Sequence, residues 1–511
     1  MNLYKILSDK FILVAIFIVF FLRLPGLFQE LPPYQFCDEE FFWGEVTRMI
    51  GNNSNFTQEF RAGGANIYPM FYFTKALNLF LSSNIDPTKL LVLGRLIMVG
   101  ILGSINIIII KKICDILFSN DKITKISIIL YILSPYILSN SRIWYPDNYV
   151  YVFSALYFLA LIKIYKYPLN YKGYILLSLG LSLTISTKYT GIILLLPTFI
   201  IIIFNLIENY NNKKFLRNCF IMIIFSILFF SLLNYSIFYK FDKFIGDFNS
   251  NRDLYKNNGV FILSNYLYYF NFTFTMVYGL LTFPLWIYGA VCLIRIKNCK
   301  FKCVYLLIPI LFIIFLGSLG KVLNRNVSIL IPFVLPIVAF GIYHFVYNCR
   351  FFTKKIRFLV IVLGLVIPQG IQSLYIFYHN FYPDSRRVAQ IWLKNNINRS
   401  ADVGFNDACS GSSAAAIAGL NAIYDPYLKH NFEYYVLNSY WASIIDKYYF
   451  NRYGYLRFID QKYIHFYEYE NNDAIKSVFL ENLDSFKVNN YSIIKIFNSN
   501  GPDIIVLKKD D

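Results

Sequence analysis

Apolar residues in this chain come in long runs, and the polar residues cluster in short stretches between them. An apolar run of about 20 residues is long enough to cross a bilayer as a helix. The first run, Phe11 to Leu22, follows Lys5 and Lys10. No small-residue cleavage site follows it and Arg23-Leu24-Pro25 carries the chain onward, which predicts a retained first helix and not a removed leader. Further runs lie near 91–110, 126–140, 148–165, 173–187, 189–207, 219–239, 272–294, 303–319, 327–348 and 357–378. With the first run included, the pattern predicts eleven transmembrane helices.

The pattern changes after residue 378. Ser385 to Asn396 has the period of an amphipathic helix, and Ser410 to Ala416 reads as a small-residue turn entering a helix. Tyr491 to Phe497 and Asp503 to Leu507 read as strands. The fold class expected is therefore membrane all-α over residues 1–378, with a first outer loop at about 29–90. A small C-terminal α/β or α+β domain follows over 379–511.

Composition removes the soluble alternative. With 57% hydrophobic and only 15% charged residues, a soluble domain of 511 residues is excluded. The net charge of +18 would suggest nucleic acid in a soluble chain. Here the cations sit in every second loop: Lys111, Lys112, Lys122 and Lys125; Lys163, Lys166 and Lys172; Lys213, Lys214 and Arg217; Arg295, Lys297, Lys300 and Lys302; Arg350, Lys354, Lys355 and Arg357. The positive-inside rule assigns those loops to the cytoplasm, so the charge reports orientation in a bilayer, and no nucleic acid partner is expected. An odd number of spans that begins inside ends outside. The expectation is a multi-pass protein of the cell (inner or plasma) membrane, N-terminus cytoplasmic and C-terminal domain extracytoplasmic.

That topology sorts the polar residues. Asp38, Glu39 and Glu40 fall on the outer face in the first loop, with Arg142 and Asp147 in Ser139-Asn140-Ser141-Arg142-Ile143-Trp144-Tyr145-Pro146-Asp147. Lys188 follows in Ser186-Thr187-Lys188, and Lys321 and Arg325 in Gly320-Lys321-Val322-Leu323-Asn324-Arg325. Any one of these cations is most simply an interfacial anchor. Carboxylates and cations delivered to one boundary from separate parts of the chain fit a chemistry instead. A carboxylate can take the proton of an attacking hydroxyl. Fixed cations can hold a phosphate leaving group as its charge develops. Asp38, Glu39 and Glu40 point about 100° apart on a helix, so they cannot all serve one substrate. Asp38 is the candidate base, Glu40 faces water, and Glu39 either orients Asp38 or joins it in holding Mg or Mn through oxygen ligands.

Asp38-Glu39 after the first span, Tyr68-Pro69-Met70-Phe71-Tyr72-Phe73, Tyr145-Pro146-Asp147, Thr187-Lys188 and Arg325-Asn326 leading into Pro332 together resemble the GT-C membrane glycosyltransferases. The branch resembled is that of the protein O-mannosyltransferases and the aminoarabinose transferases of lipid A. The likeness covers the membrane part and extends into Ser385 to Leu393. It implies a sugar donor carried on polyprenyl phosphate and inverting transfer at the outer face to a hydroxyl of a lipid, glycan or protein acceptor. Asp38 would be the general base, with Asp147 a second acidic residue of the site and Glu39 beside the base. Arg325 and Lys188 would bind the phosphate, and Arg142, Lys321 and Tyr145 complete the candidate substrate-binding set. The chain departs from the family in two places. Asn66-Ile67 stand where the aminoarabinose transferases carry an acidic-basic pair, and Ile329 stands where the first of two prolines usually follows the arginine.

Cys37 and Cys409 are the cysteines placed clearly outside, and Cys299 with Cys303 alone makes no zinc site. Tyr434, Tyr435, Tyr440 and Trp441 could stack on sugar, although core packing is their simpler use. No nucleotide fingerprint or nucleophile triad is present, in keeping with a lipid donor. Two other readings share the outer-face charges: a transporter or flippase of lipid-linked saccharide, and an outer-face glycan polymerase or ligase. A transporter needs polar or broken helices at the bilayer midplane, and these span centres are apolar.

Overall fold

The computed structural model describes residues 9–28, 37–60, 62–81, 86–140, 143–209, 211–254, 263–271, 273–274, 279, 281–295, 300–319, 324–349, 351–379, 381, 385–405, 420–424, 432–438, 491–497 and 504–509. They form two compact units: Met1–Leu27 with Phe41–Ile376, and Phe28–Glu40 with Phe377–Asp511.

The first unit is helical throughout. Its central helix, Ile331–Asn348, is apolar on every side and buried over nearly its whole length, as a helix without a polar face requires. It packs against Thr282–Arg295, Asp121–Ile132 and Val150–Lys166. The first of these crossings depends on glycine. A Cβ on Gly289 would lie 2.4 Å from the Ile337 carbonyl oxygen, and one on Gly341 would lie 2.0 Å from that of Leu285. Small residues that let backbones touch are the usual glue between helices in lipid, where burial alone gives no drive to associate. Tyr171–Thr187 lies between Val150–Lys166 and Lys213–Leu233. Lys213–Leu233 is apolar yet only 6% buried, against 83% for Arg325–Asn348, so a bilayer must cover it.

Among the described residues six helices are long and apolar enough to cross a membrane: Lys10–Leu27, Thr88–Phe118, Tyr189–Asn209, Lys213–Leu233, Arg325–Asn348 and Lys354–Tyr378. Thr282–Arg295 and Tyr305–Gly317 are shorter apolar helices. The expected spans near 126–140, 148–165 and 173–187 fall on helices of 12, 17 and 17 residues. The first of them stops at Ile132 because Pro135 lies ahead, and a separate short helix, Pro135–Asn140, follows. The run at 219–239 begins earlier than its apolar residues, at Lys213, where the Asn212 side chain caps the helix. It ends at Leu233, before Asn234.

Arg23 is buried near the end of the first helix. Its guanidinium donates to the Tyr131 and Tyr151 hydroxyls at 3.1 and 3.3 Å and lies 5.7 Å from the Tyr131 ring centre. Buried carboxylate organises the segment after Cys37–Gly51. Glu45 accepts from Arg48 at 2.7 and 2.8 Å, from the Thr57 hydroxyl at 2.8 Å and from the Gln58 amide. Burial pushes its carboxyl up, but these donors outweigh that and hold it below its ordinary 4.5. The loop from 52 to 60 is thereby folded back on its own helix.

The second unit holds a helix, Ser385–Asn396, and a five-stranded sheet. The strands are β1 (Asp402–Phe405), β2 (Asn421–Tyr424), β3 (Tyr434–Asn438), β4 (Tyr491–Phe497) and β5 (Ile504–Lys509), in the order β2-β1-β3-β5-β4. β1 runs parallel to β2 and β3, while β5 is antiparallel to both β3 and β4. Ala389 and Leu393 of the helix pack on Val403, Val436 and Val506 of the sheet. Tyr435 lies in that sheet fully buried, as core and not as a sugar platform. Ser410 to Ala416, Cys409, Tyr440 and Trp441 lie outside the described residues.

Candidate functional site

Three breaks between helices of the first unit bring four of the candidate residues together. The first is the turn Pro146–Asn148, which leads into Val150–Lys166. Pro146 fits its opening position because proline fixes φ there and the missing amide would have had no partner. The Asn148 side chain donates to the Ile143 carbonyl at 2.8 Å and closes the turn, leaving Asp147 held at its centre and 3% exposed. The second break is Lys188, which leaves Tyr171–Thr187 in an extended conformation (φ −147°, ψ 119°) before the short helix Tyr189–Leu194. The third is the turn Asn324–Leu330, which runs into the central helix through Pro332.

Lys188 Nζ forms an ion pair with Asp147 Oδ1 and donates to Asn326 Oδ1 at 2.7 Å. Asn326 in turn donates to the Tyr269 hydroxyl at 3.1 Å. Arg325 Nε lies 3.9 Å from Asp147 Oδ2, and its guanidinium sits over the Tyr145 ring at 4.7 Å from the centre. Among the described residues, Asp147 is thus a carboxylate shared by two cations from separate parts of the chain. Lys188 is the more enclosed cation, its side chain 13% exposed against 30% for Arg325. Burial pulls the Lys188 ammonium below its ordinary 10.5, Asp147 pulls it back up, and Arg325 adds to the lowering.

Directly behind this cluster stands Asn66, fully buried. Its amide donates to the carbonyls of Gly63 and Thr187 at 2.7 and 2.9 Å and accepts from the Tyr149 hydroxyl. It ties the segment before Tyr68–Leu81 to the residue preceding Lys188 and to the residue that follows the Pro146–Asn148 turn. All its hydrogen-bonding capacity toward these neighbours is internal, so it serves the shape of the site. Replacing Asn66 with Ala leaves two carbonyls and a hydroxyl buried without it. At about 1 kcal/mol or more for each lost bond, the expected cost is on the order of 3 kcal/mol. Thermal unfolding of the purified variant measures it, and a loss below about 1 kcal/mol contradicts the role.

Of the remaining candidates, Asp38 and Glu39 lie on Cys37–Gly51, and Glu39 is buried. They belong by contacts to the second unit and are not assigned to the cluster. Arg142 and Lys321 lie outside the described residues. Among the described residues no group of three or more His, Cys, Asp or Glu side chains is arranged to hold a metal ion. Asn326, Tyr269, Tyr149 and Asn66 carry the site's hydrogen bonds, and the sequence pattern gave none of them a role.

Residues 97–249 match the family model described as dolichyl-phosphate-mannose-protein mannosyltransferase, a stretch that includes Asp147 and Lys188. No curated protein matches the sequence. Solved structures are similar over most of the chain. The oligosaccharyltransferase of Archaeoglobus fulgidus, solved with Zn and sulfate, has a TM-score of 0.55 at 12% identity, covering 85% of this chain and 69% of that one. The same archaeon's oligosaccharyltransferase AglB, in complex with an inhibitory peptide and a dolichol-phosphate, has 0.53 at 12%, covering 88% and 71%. ArnT from Cupriavidus metallidurans, bound to undecaprenyl phosphate, has 0.50 at 9%, covering 97% of both chains. The chain has the GT-C membrane fold. In a chain of this fold the charged cluster is built from helix breaks, so the spanning helices keep their backbone hydrogen bonds while three polar turns meet at one place.

Proposed function

We propose that this chain is an integral membrane glycosyltransferase that takes a sugar from a polyprenyl-phosphate donor and delivers it to an acceptor hydroxyl at the outer face of the membrane. The observation that carries the reading is the convergence of Lys188 and Arg325 on Asp147 at three helix breaks. Two fixed cations in a poorly solvated turn suit a phosphate better than a neutral glycan. Two of the similar structures hold a polyprenyl phosphate, and the family model is that of a polyprenyl-phosphate-dependent transferase.

In the reaction proposed, the acceptor oxygen attacks the anomeric carbon as its proton passes to the Asp38 carboxylate. The bond from that carbon to the phosphate oxygen breaks, and the electron pair leaves on the lipid phosphate. Arg325, the more exposed cation, meets the phosphate, and Lys188 supports the charge from behind. One displacement of this kind inverts the anomeric centre. Asp147 keeps the two cations together in the absence of substrate. The assignment of Asp38 rests on its place in the family pattern. A divalent ion on Asp38 and Glu39 would help fix the donor, but no step here draws on one.

The test uses the full-length protein in nanodiscs with polyprenyl-phosphate sugars, following release of the free lipid phosphate. Arg325→Ala is expected to raise the apparent KM for donor on the order of tenfold, the worth of one charge-assisted contact, with acceptor KM little changed. An unchanged donor KM and rate in that variant removes Arg325 from the site. No turnover of any such donor by the wild-type protein, with its fold intact, overturns the reading.

A further inference from the structure

Two lysines converge on one aromatic ring away from the site described above. Lys122, in the first turn of Asp121–Ile132, places its ammonium 4.5 Å from the centre of the Tyr347 ring, in the last turn of the central helix. Lys354, the first residue of Lys354–Ile361, places its own 4.6 Å from the same centre. Among the described residues neither lysine makes an ion pair, and the neighbouring Asp121 carboxylate is held by Lys125 at 2.7 Å. Two cations from different helices are thereby gathered about one ring.

The turn that delivers Lys354 is itself constrained. Arg357 donates to the carbonyls of Phe345 and Cys349, closing the chain between the two helices. Within that turn Phe352 adopts φ +65°, a conformation that costs a bulky side chain. Phe351 and Phe352 are 78% and 69% exposed. Beyond them Lys354–Tyr378 turns Phe358, Leu359 and Leu363 outward, and only 22% of that span is buried. Cations, exposed aromatic rings and a lipid-facing helix thus follow one another along a few residues.

We propose that Lys122, Tyr347 and Lys354 form a headgroup site for an anionic phospholipid, on the face that the lysine distribution assigns to the cytoplasm. The phosphate lies against the two ammoniums. The acyl chains lie along the exposed side of Lys354–Tyr378, with Phe351 and Phe352 in the boundary layer. Free phosphate offers the same charge, but the apolar stripe that continues from the lysines selects a lipid. Basic pockets between helix ends are a recognised place for acidic headgroups. This site is independent of the transfer reaction.

The test compares the full-length wild-type protein, Lys122→Ala/Lys354→Ala and Lys213→Ala/Lys214→Ala, the last removing equal charge from another lysine pair. Each is purified in detergent and titrated with phosphatidylglycerol, phosphatidylcholine or inorganic phosphate. Retained lipid is counted by native mass spectrometry, and thermal unfolding is followed in parallel. At about a factor of five per lysine beside acidic lipid, the first variant should retain phosphatidylglycerol on the order of 30-fold more weakly, with the second unaffected. Thermal stabilisation by phosphatidylglycerol should be lost with it. Equal retention by both variants, or equal loss in both, overturns the proposal. So does full stabilisation by inorganic phosphate alone.

Discussion

Asp38→Asn is expected to lower sugar transfer by roughly 10²- to 10⁴-fold, the usual contribution of a positioned general base, while the protein folds and inserts as before. The amide keeps the shape of the carboxylate and loses only its ability to take a proton. Asp38 is the second residue of Cys37–Gly51. The adjacent Glu39 provides the contrast. It is fully buried on the same helix, so Glu39→Gln should act on stability before it acts on turnover. Initial rates of lipid-phosphate release by the two variants, beside their unfolding temperatures, separate the roles. Near wild-type turnover by Asp38→Asn would sink the base assignment.

The membrane architecture was legible because lipid imposes long apolar runs, and nothing in a soluble core does so at this scale. The same constraint made the site's turns legible. A backbone that must stay helical in lipid can break only where a proline or a charged residue marks the place, as at Tyr145-Pro146-Asp147 and Thr187-Lys188. Helix ends were harder. Lysines at Lys213 and Lys214 belong to their helix although they are not apolar, and Pro135 stops a run that hydropathy alone carries to residue 140. In the C-terminal part, Tyr491–Phe497 and Ile504–Lys509 are strands where alternation and β-branched residues suggested them. The short β1, β2 and β3 carried no such signal at four or five residues each.

The partners within the site were not legible for a different reason. Asn326 stands in the Arg325-Asn326 motif, and Asn66 in the first outer loop at a point of departure from the aminoarabinose transferases, and neither position names its partner. Their roles come from contacts 138 and 121 residues away, to Lys188 and to Thr187. Local pattern carries no information about such pairs. Asn66 shows the consequence. At a position where the aminoarabinose transferases that the chain resembles carry charge, this chain has an amide that, among the described residues, bonds to the Gly63 and Thr187 carbonyls and to Tyr149.

Asp147→Ala should then be the most damaging change to stability in the cluster. It removes the carboxylate that pairs with Lys188 and leaves that ammonium enclosed beside Arg325. Breaking one partner out of a buried pair typically costs about 3–5 kcal/mol, because the remaining charge stays desolvated. The loss should be largely relieved in Asp147→Ala/Lys188→Met, where no charge is stranded, and the double-mutant cycle should show a coupling of about 1–3 kcal/mol. The pH dependence has a definite sign. Burial already lowers the Lys188 ammonium below its ordinary 10.5, and loss of Asp147 removes the group that raises it. Between the folded and unfolded values the unfolded chain binds more protons, so the stability of Asp147→Ala rises as pH rises through that window. Unfolding of the variant at neutral and alkaline pH measures the effect. A deficit that stays constant with pH, or a double variant no more stable than the single, would show that Asp147 holds the turn and not the charge.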